Sequence, residues 1–243
     1  MIIKSIKSRF SNSKLKKWYT RVFVLGTHWG EFIAEIKQFD TPDTIVLDAG
    51  AGKCIYKRHF MKSQYIGMDN GIGLTERGYS NLDIIGDIMI PPIKENSCDI
   101  ILLIQVLEHI PEPHQTIRKM HGILKKDGKI FITTNCVWHQ HLKPYDFFRY
   151  TSFGLKYLLE KNGFVVEWLL PMGGSFTCLK YVFSMAVPTL DTMPHIIKVI
   201  LISIKKFIDL ITDYIFSIPV YYLDKLDIRK DLTVGYFCCA RKK

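Results

Sequence analysis

The 243-residue sequence lacks the usual marks of an exported, metal-binding or repetitive protein. Its six cysteines, at positions 54, 98, 136, 178, 238 and 239, do not have the spacing of zinc ligands, so no metal is predicted. Residues 1–10 lack the continuous apolar core of a secretory signal. No internal repeat or low-complexity linker divides the chain. We therefore expect a cytoplasmic protein with reduced thiols.

The sequence also lacks an apolar run that is long enough and free enough of charge to span a membrane. Residues 176–223 are strongly apolar, but lysines and aspartates interrupt every window of about 18 residues. What remains is a wide apolar face with a thin charged stripe. Such a segment could pack under the domain, lie in a membrane interface or close over an apolar acceptor, and the sequence leaves these three open.

Acidic residues are absent from the first 21 positions, which carry seven lysines and arginines and account for most of the net charge of +10. Apolar and aromatic residues alternate with these charges. The pattern suits an anionic lipid surface, nucleic acid or a solvated N-terminus. None of the three is excluded by the sequence.

The remaining sequence alternates apolar strands with amphipathic helices. Strands are predicted near 44–48, 65–69, 82–86, 98–104 and 129–134, and a first helix over 28–39. A second helix carries Ile117, Met120, Ile123 and Leu124 and is predicted to end at Asp127-Gly128, and a third begins at Thr151 or Ser152. This alternation predicts an α/β fold with a doubly wound, mostly parallel sheet.

A turn of small residues follows the first strand. Gly50 and Gly52 allow a sharp turn that a ligand can approach closely, and Asp69 stands 21 residues after Asp48, where nucleoside-binding folds place a ribose-binding carboxylate. A dinucleotide fingerprint would need a third glycine where Ile55 stands. Hydride chemistry is therefore disfavoured.

The stretch over residues 82–113, with Val106-Leu107-Glu108-His109 followed shortly by a proline, resembles the class I S-adenosylmethionine-dependent methyltransferases. The resemblance covers residues 44–170 and 234–241. It implies a Rossmann-like sheet with an antiparallel last strand and a helical insertion before that strand. One departure is Cys54, which stands where members of the family often have a third glycine.

The resemblance also implies a set of residues around S-adenosylmethionine. The loop of the first motif would hold the methionine part of the cofactor, and Gln105 would line the same side. Asp69 would bind the ribose, and Asp87 with Ile88 would contact the adenine. The implied cofactor-binding residues are Asp48, Gly50, Gly52, Asp69, Asn70, Asp87, Ile88 and Gln105.

Residues 139–150, after the fifth strand, are rich in polar and aromatic side chains and are predicted to serve the methyl acceptor. His109, His141 and Asp146 are the candidate catalytic bases, and Tyr145, Arg149 and Tyr150 are the candidate substrate-binding residues. The alternative is that Arg149 pairs with Asp146 and that the aromatic residues only pack the loop.

These observations predict four segments: a basic N-terminal segment and helix at 1–43, a methyltransferase core at 44–175, an apolar helical insertion at 176–230 and a closing strand at 231–243. The expected function is methyl transfer to a small-molecule, glycan or lipid-linked acceptor, at oxygen. Nucleic acid is not expected as a partner, because no Asn-Pro-Pro-aromatic motif follows the fourth strand. A non-catalytic scaffold at an anionic membrane surface, a nucleic-acid methyltransferase, and a peripheral location on the inner face of the membrane remain alternatives.

Overall fold

The computed structural model describes residues 27–71, 81–185, 202, 204 and 217–243. The basic residues 1–21 and most of the apolar segment 176–223 lie outside this part of the chain. The described residues form two compact units, one from the range 31–170 together with 235–243 and the other from the ranges 27–30 and 171–234. The four segment boundaries expected from the sequence remain a prediction.

The first unit is built on a seven-stranded sheet with the order β3-β2-β1-β4-β5-β7-β6. The strands are β1 (Ile45–Ala49), β2 (Gln64–Asp69), β3 (Ile84–Ile85), β4 (Cys98–Ile104), β5 (Leu124–Asn135), β6 (Phe164–Pro171) and β7 (Gly235–Lys242). Strands β1 to β5 pair in parallel, whereas β7 is antiparallel to β5. The predicted mostly parallel sheet with an antiparallel last strand is confirmed.

Three helices accompany this sheet: α1 (Thr27–Lys37), α2 (Pro113–Ile123) and α3 (Ser152–Lys161). Each buries one apolar face, as the spacing of its apolar residues predicts. In α3 the predicted N-cap is confirmed, because the Thr151 side chain accepts a hydrogen bond from Gly154 N. The central strands β1 and β4 are almost completely buried, as expected of parallel strands covered on both faces.

Two local predictions were wrong. Leu124 does not belong to the second helix: α2 ends at Ile123, and Leu124 is extended and opens β5 opposite Cys98. The turn at Asp127, where φ is +60°, therefore lies inside β5 and does not end a helix. The third strand is only Ile84–Ile85, because just two residue pairs join it to β2. Helical periodicity cannot reveal an end of this kind, because Leu124 is buried in either conformation.

In the second unit the structure describes α4 (Ser175–Met185) and α5 (Ser217–Leu226), which stand between β6 and β7 in the sequence as the predicted insertion requires. Asp224 of α5 accepts hydrogen bonds from Gly174 N, Phe176 N and Thr177 N, and so satisfies amide groups at the start of α4. Among the residues that the structure describes, no helix has the length and apolarity needed to cross a membrane.

Candidate functional site

The turn after β1 brings backbone amides close to the end of β2. Gly50 N and Ala51 N donate to the carbonyl oxygen of Met68 over 2.8 and 3.0 Å. Gly50 has a φ of +88°, and a Cβ atom at this position would lie 2.3 Å from Cγ2 of Val106. Only glycine can therefore make this turn without strain and without displacing its neighbour.

Asp69 ends β2 and is tied to the same turn. Its Oδ2 accepts from Gly52 N over 3.0 Å, and its Oδ1 accepts from Gly71 N over 2.9 Å. A carboxylate offers about four lone-pair directions, so each oxygen can still accept a bond from a ligand. The turn and the carboxylate are thus positioned as one unit.

A cavity of about 430 Å³ opens at the carboxyl ends of β1, β2 and β4, where ligands of open α/β sheets bind. Six of the eight predicted cofactor residues line it: Gly50, Gly52, Asp69, Asn70, Ile88 and Gln105. The other lining residues are Met68, Gly86, Val106, His109, Ile110, Leu142, Lys143 and Tyr145. The sequence-predicted residues therefore meet at one edge of the sheet.

Asp48 and Asp87 are the two predicted cofactor residues that are not on this wall. Asp48 is buried and accepts a hydrogen bond from the Tyr65 hydroxyl, and burial raises the pKa of its carboxyl group to about 7. Asp87 Oδ1 accepts from Met89 N over 2.8 Å, while the neighbouring Gly86 and Ile88 reach the cavity. In this structure Asp87 therefore supports the backbone beside the cavity, and Asp48 is tied to the side chain of Tyr65 in β2.

Gln105 lies where β4 leaves the sheet. Its φ is +57°, a conformation that non-glycine residues seldom adopt. Two hydrogen bonds to Thr133 of β5 hold this conformation. The backbone N of Gln105 donates to the Thr133 carbonyl oxygen over 2.9 Å, and the side-chain amide of Gln105 donates to Thr133 Oγ1 over 3.2 Å. Backbone strain of this kind is often found at ligand sites.

His109 stands on a short 3₁₀ turn (Leu107–His109) after β4 and lines the cavity. Its Nδ1 lies 2.5 Å from the carbonyl oxygen of Tyr145. Because a carbonyl can only accept, Nδ1 carries the proton and Nε2 keeps a free lone pair in the neutral ring. Burial lowers the pKa of this imidazole, which favours the neutral form.

Asp146 is held away from the cavity by Arg149. The Arg149 guanidinium donates to both carboxylate oxygens of Asp146 over 2.7 Å each, and only 3% of the Asp146 side chain is exposed. The Arg149 hydrogen bonds hold the pKa of Asp146 far below its usual range. A carboxylate so strongly stabilised in its charged form is a weak base, so the geometry favours the alternative in which these two residues secure the loop.

The other predicted residues of the loop divide between the cavity and the core. Tyr145 lines the cavity, whereas Tyr150 is buried, and its hydroxyl donates to the Leu107 carbonyl over 3.4 Å. His141 is not on the cavity wall, but its ring stacks edge-on against His109 with centroids 4.7 Å apart. The structure thus brings Tyr145 and His141 to the site and gives Arg149 and Tyr150 packing roles, because their polar atoms are used within the loop and its support.

Glu108 is a central residue of this region that sequence reasoning did not assign a site role. Its side chain is completely buried and accepts from Thr134 Oγ1 over 3.0 Å and from Asn135 Nδ2 over 2.7 Å. Its carbonyl oxygen accepts from the amides of Phe147 and Phe148 in the loop after β5. Burial raises the pKa of the Glu108 carboxyl group to about 7. The polar run Thr133-Thr134-Asn135, at the end of a buried strand, was the available signal.

Comparison with known proteins identifies part of this chain. Residues 47–132 match a family model described as "Methyltransferase domain". A protein of Encephalitozoon cuniculi that is named as a methyltransferase is 29% identical over 111 residues, which are 43% of this chain and 51% of that protein. The chain thus spans about half the length of that relative. A ubiquinone biosynthesis O-methyltransferase of Glaesserella parasuis is 50% identical over 36 residues, or 15% of each chain.

The fold also has solved counterparts. The phosphoethanolamine N-methyltransferase 2 of Haemonchus contortus, solved with phosphomonomethylethanolamine and S-adenosylhomocysteine, superimposes with a TM-score of 0.52 at 18% identity. The superposition covers 93% of this chain and 56% of that one. At this identity the likeness establishes the fold alone.

Proposed function

We propose that this chain, which carries a class I S-adenosylmethionine-dependent methyltransferase domain, transfers the cofactor's methyl group to oxygen of a small-molecule, glycan or lipid-linked acceptor. The methyltransferase family and the S-adenosylmethionine cofactor predicted from the sequence are confirmed by the matched domain. The solved methyltransferase described above shares the fold. The acceptor, the methylated atom and the roles of individual residues are proposals.

The observation that carries the proposal is the juxtaposition of two features on one cavity wall. The Gly50 to Gly52 turn allows a ligand to approach the backbone closely, and Asp69 offers the remaining lone pairs of its carboxylate to a cationic, hydroxyl-bearing cofactor. On the same wall, His109 presents an imidazole whose Nε2 has a free lone pair. A cofactor site and a proton acceptor within one cavity are what methylation of a hydroxyl group requires.

In methyl transfer the main task of the protein is to align the acceptor with the cofactor. The sulfonium already makes its methyl group electrophilic, so the site must hold the acceptor oxygen in line at roughly 3 Å and exclude water. The acceptor hydroxyl must also lose its proton, and the lone pair of His109 can receive it. The name of the Glaesserella relative, an O-methyltransferase, supports oxygen as the methylated atom.

The acceptor side of the cavity is formed by the loop after β5. Leu142 and Tyr145 are half exposed and lie beside the cationic Lys143, while Val106 and Ile110 form an apolar floor. An acceptor with an apolar or sugar-like body suits this mixture of surfaces. Because the lining is both apolar and polar, the proposal includes small-molecule, glycan and lipid-linked acceptors.

Peripheral contact with an anionic membrane is a finer proposal for where this reaction occurs. Its support is the exposed apolar side chains of α4, among them Leu179, Val182 and Phe183. The basic residues 1–21, which would add electrostatic attraction, lie outside the described residues. Sedimentation of the full chain with anionic vesicles at low salt, and its release as salt rises, is the expected result; no binding to such vesicles would reject the membrane contact.

The test of function uses a methyl-labelled cofactor. Purified full-length protein is incubated with lipid, glycan, small-molecule and nucleic-acid extracts, and labelled products are separated by mass spectrometry. Label should enter one extract class with the parent protein and fall at least tenfold with Asp69→Ala. Label in nucleic acid alone, or cofactor binding without transfer to any extract, would replace the proposal by the nucleic-acid or the scaffold alternative respectively.

A further inference from the structure

Three potential metal ligands meet at the edge of the cavity. Glu108, His109 and His141 each offer one ligand atom, and these atoms all lie within 4.8 Å of one another. Glu108 and His109 come from the 3₁₀ turn after β4, and His141 comes from the loop after β5. No metal was predicted from the sequence, because only the folded loop brings His141 to the other two residues.

Both histidines are oriented by hydrogen bonds at the nitrogen that a metal would not use. His109 Nδ1 lies 2.5 Å from the Tyr145 carbonyl oxygen, and His141 Nδ1 lies 3.2 Å from the His139 carbonyl oxygen. His141 Nδ1 is also 3.6 Å from the Asp146 carboxylate. Because all these partners can only accept, Nδ1 is protonated in both rings and Nε2 is available. Metal-binding histidines almost always have this arrangement.

The carboxylate of Glu108 is oriented in the same way. Thr134 and Asn135 each donate to one of its oxygens, which occupies two of about four lone-pair directions. Its side chain is completely buried, and the nearby Arg149 already gives two hydrogen bonds to Asp146. A buried carboxylate with remaining lone pairs is a favourable place for a cation.

We infer that Glu108, His109 and His141 bind one divalent transition-metal ion, with zinc the best match to two imidazoles and one carboxylate. In a tetrahedral zinc site the ligand atoms lie about 3.4 Å apart. The distances between the three ligand atoms are within 4.8 Å here, so each must shorten by roughly 1.4 Å at most. Rotation of the His141 side chain on its loop can supply that movement. A fourth position would face the cavity, because His109 lines it.

This inference rests on the proposed methyl transfer to oxygen, and it replaces His109 as the proton acceptor by a metal ion that activates the acceptor hydroxyl. An ion held by Glu108, His109 and His141 would act as a Lewis acid: it would favour loss of the acceptor hydroxyl's proton to solvent and would make the acceptor oxygen the nucleophile. That oxygen then forms a bond to the cofactor's methyl carbon while the carbon–sulfur bond breaks and its electron pair goes to sulfur. The acceptor class is thereby narrowed to compounds with an ionisable hydroxyl group. With the metal bound, His109 would be a ligand and not the base.

The test measures metal binding directly. Full-length protein is stripped with chelator and titrated with Zn²⁺ by calorimetry and with Co²⁺ by visible absorption, which reports low-symmetry coordination. We expect one ion per chain. Loss of a residue that only hydrogen-bonds to a metal ligand lowers metal affinity by roughly 10- to 100-fold, and His141→Ala should lower it by more than this because a ligand itself is lost. His139→Ala is the matched control, since its carbonyl remains to orient His141. Glu108→Gln, checked for folding by circular dichroism, should weaken binding as well.

The outcomes separate this site from the function on which it rests. Equal metal affinity in the parent, His141→Ala and His139→Ala proteins would overturn the site, as would full methyl transfer by chelator-treated, metal-free protein. Neither result would affect cofactor binding, which is measured separately by calorimetry with S-adenosylhomocysteine. A metal bound with the expected ligand dependence, but no cofactor binding, would reject the proposed function and leave the site standing.

Discussion

Replacement of Gly50 by alanine should damage both the stability of the protein and its cofactor site. The added Cβ would lie 2.3 Å from Cγ2 of Val106 and 3.0 Å from its Cγ1, and the residue would keep a φ of +88°. A left-handed conformation costs a non-glycine residue about 1–2 kcal/mol, and forcing an extra carbon into a packed site costs about 1–3 kcal/mol. We therefore expect a loss of roughly 2–5 kcal/mol in the free energy of unfolding.

The same change should weaken cofactor binding, because residues 50 and 106 both line the cavity and must move apart. Urea unfolding followed by circular dichroism gives the stability, and calorimetry with S-adenosylhomocysteine gives the affinity. In the double variant Gly50→Ala/Val106→Ala the overlaps with Cγ1 and Cγ2 are removed, so part of the stability should return. The backbone strain and a contact of 3.3 Å with the Cβ of residue 106 remain. Gly122→Ala is the control, since its Cβ would meet nothing nearer than Glu95 Oε1 at 3.8 Å and should stabilise α2 by about 0.5–1 kcal/mol.

A Gly50→Ala protein with parental stability and parental affinity would refute the reasoning. A loss of stability that the double variant does not relieve would locate the whole effect in the backbone conformation. The experiment thus distinguishes a turn that must be left-handed from a turn that must leave room for its neighbour.

Three further predictions follow from single side chains. Asp69→Ala should weaken the binding of S-adenosylmethionine by about 2–4 kcal/mol, because hydrogen bonds to a charged acceptor are lost. Unchanged affinity in calorimetry would show that Asp69 does not bind the ribose. The pKa of Asp48 is about 7 in the folded protein against an ordinary value of 3.8. The free energy of unfolding should therefore fall between pH 3.8 and about pH 7, by up to about 1.4 kcal/mol for each pH unit. Asp48→Asn should reduce this pH dependence in urea unfolding measured at several pH values. Arg149→Ala leaves the buried Asp146 without its guanidinium partner and with His141 alone, and it should cost up to about 3 kcal/mol in the free energy of urea unfolding. Lys156→Ala removes one partner of an exposed pair and should cost about 0.5 kcal/mol or less, so equal losses in the two variants would contradict the prediction.

The parts of the site that could be predicted from sequence are those fixed by short segments. The turn at Gly50 and the carboxylate of Asp69 each follow a strand directly, and parallel strands bring their carboxyl ends to one edge whatever the rest of the chain does. The N-cap of α3 at Thr151 is equally local. Sequence pattern is sufficient in these cases because the neighbours that matter are a few residues away or in the adjacent strand.

The parts that could not be predicted depend on contacts between distant segments. Nothing local shows whether Asp146 points into the cavity or toward Arg149, because the choice is made by the fold of the whole loop. Glu108 finds its partners Thr134 and Asn135 only through the register of β4 and β5. The approach of His141 to His109 similarly follows from the path of the loop, which passes through Leu142 at a φ of +50°.

The place of β7 in the sheet has a consequence for how the chain folds during synthesis. β7 is the last strand in the sequence but lies between β5 and β6, which were made earlier. Until residues 235–242 leave the ribosome, β5 and β6 each present an unpaired edge, and the long loop that β7 must close is costly to order. Strands β1, β2 and β4, which position the turn and Asp69, can pair before that moment. A nascent chain should therefore acquire its cofactor end first and remain prone to aggregation through its open side until the final strand is inserted.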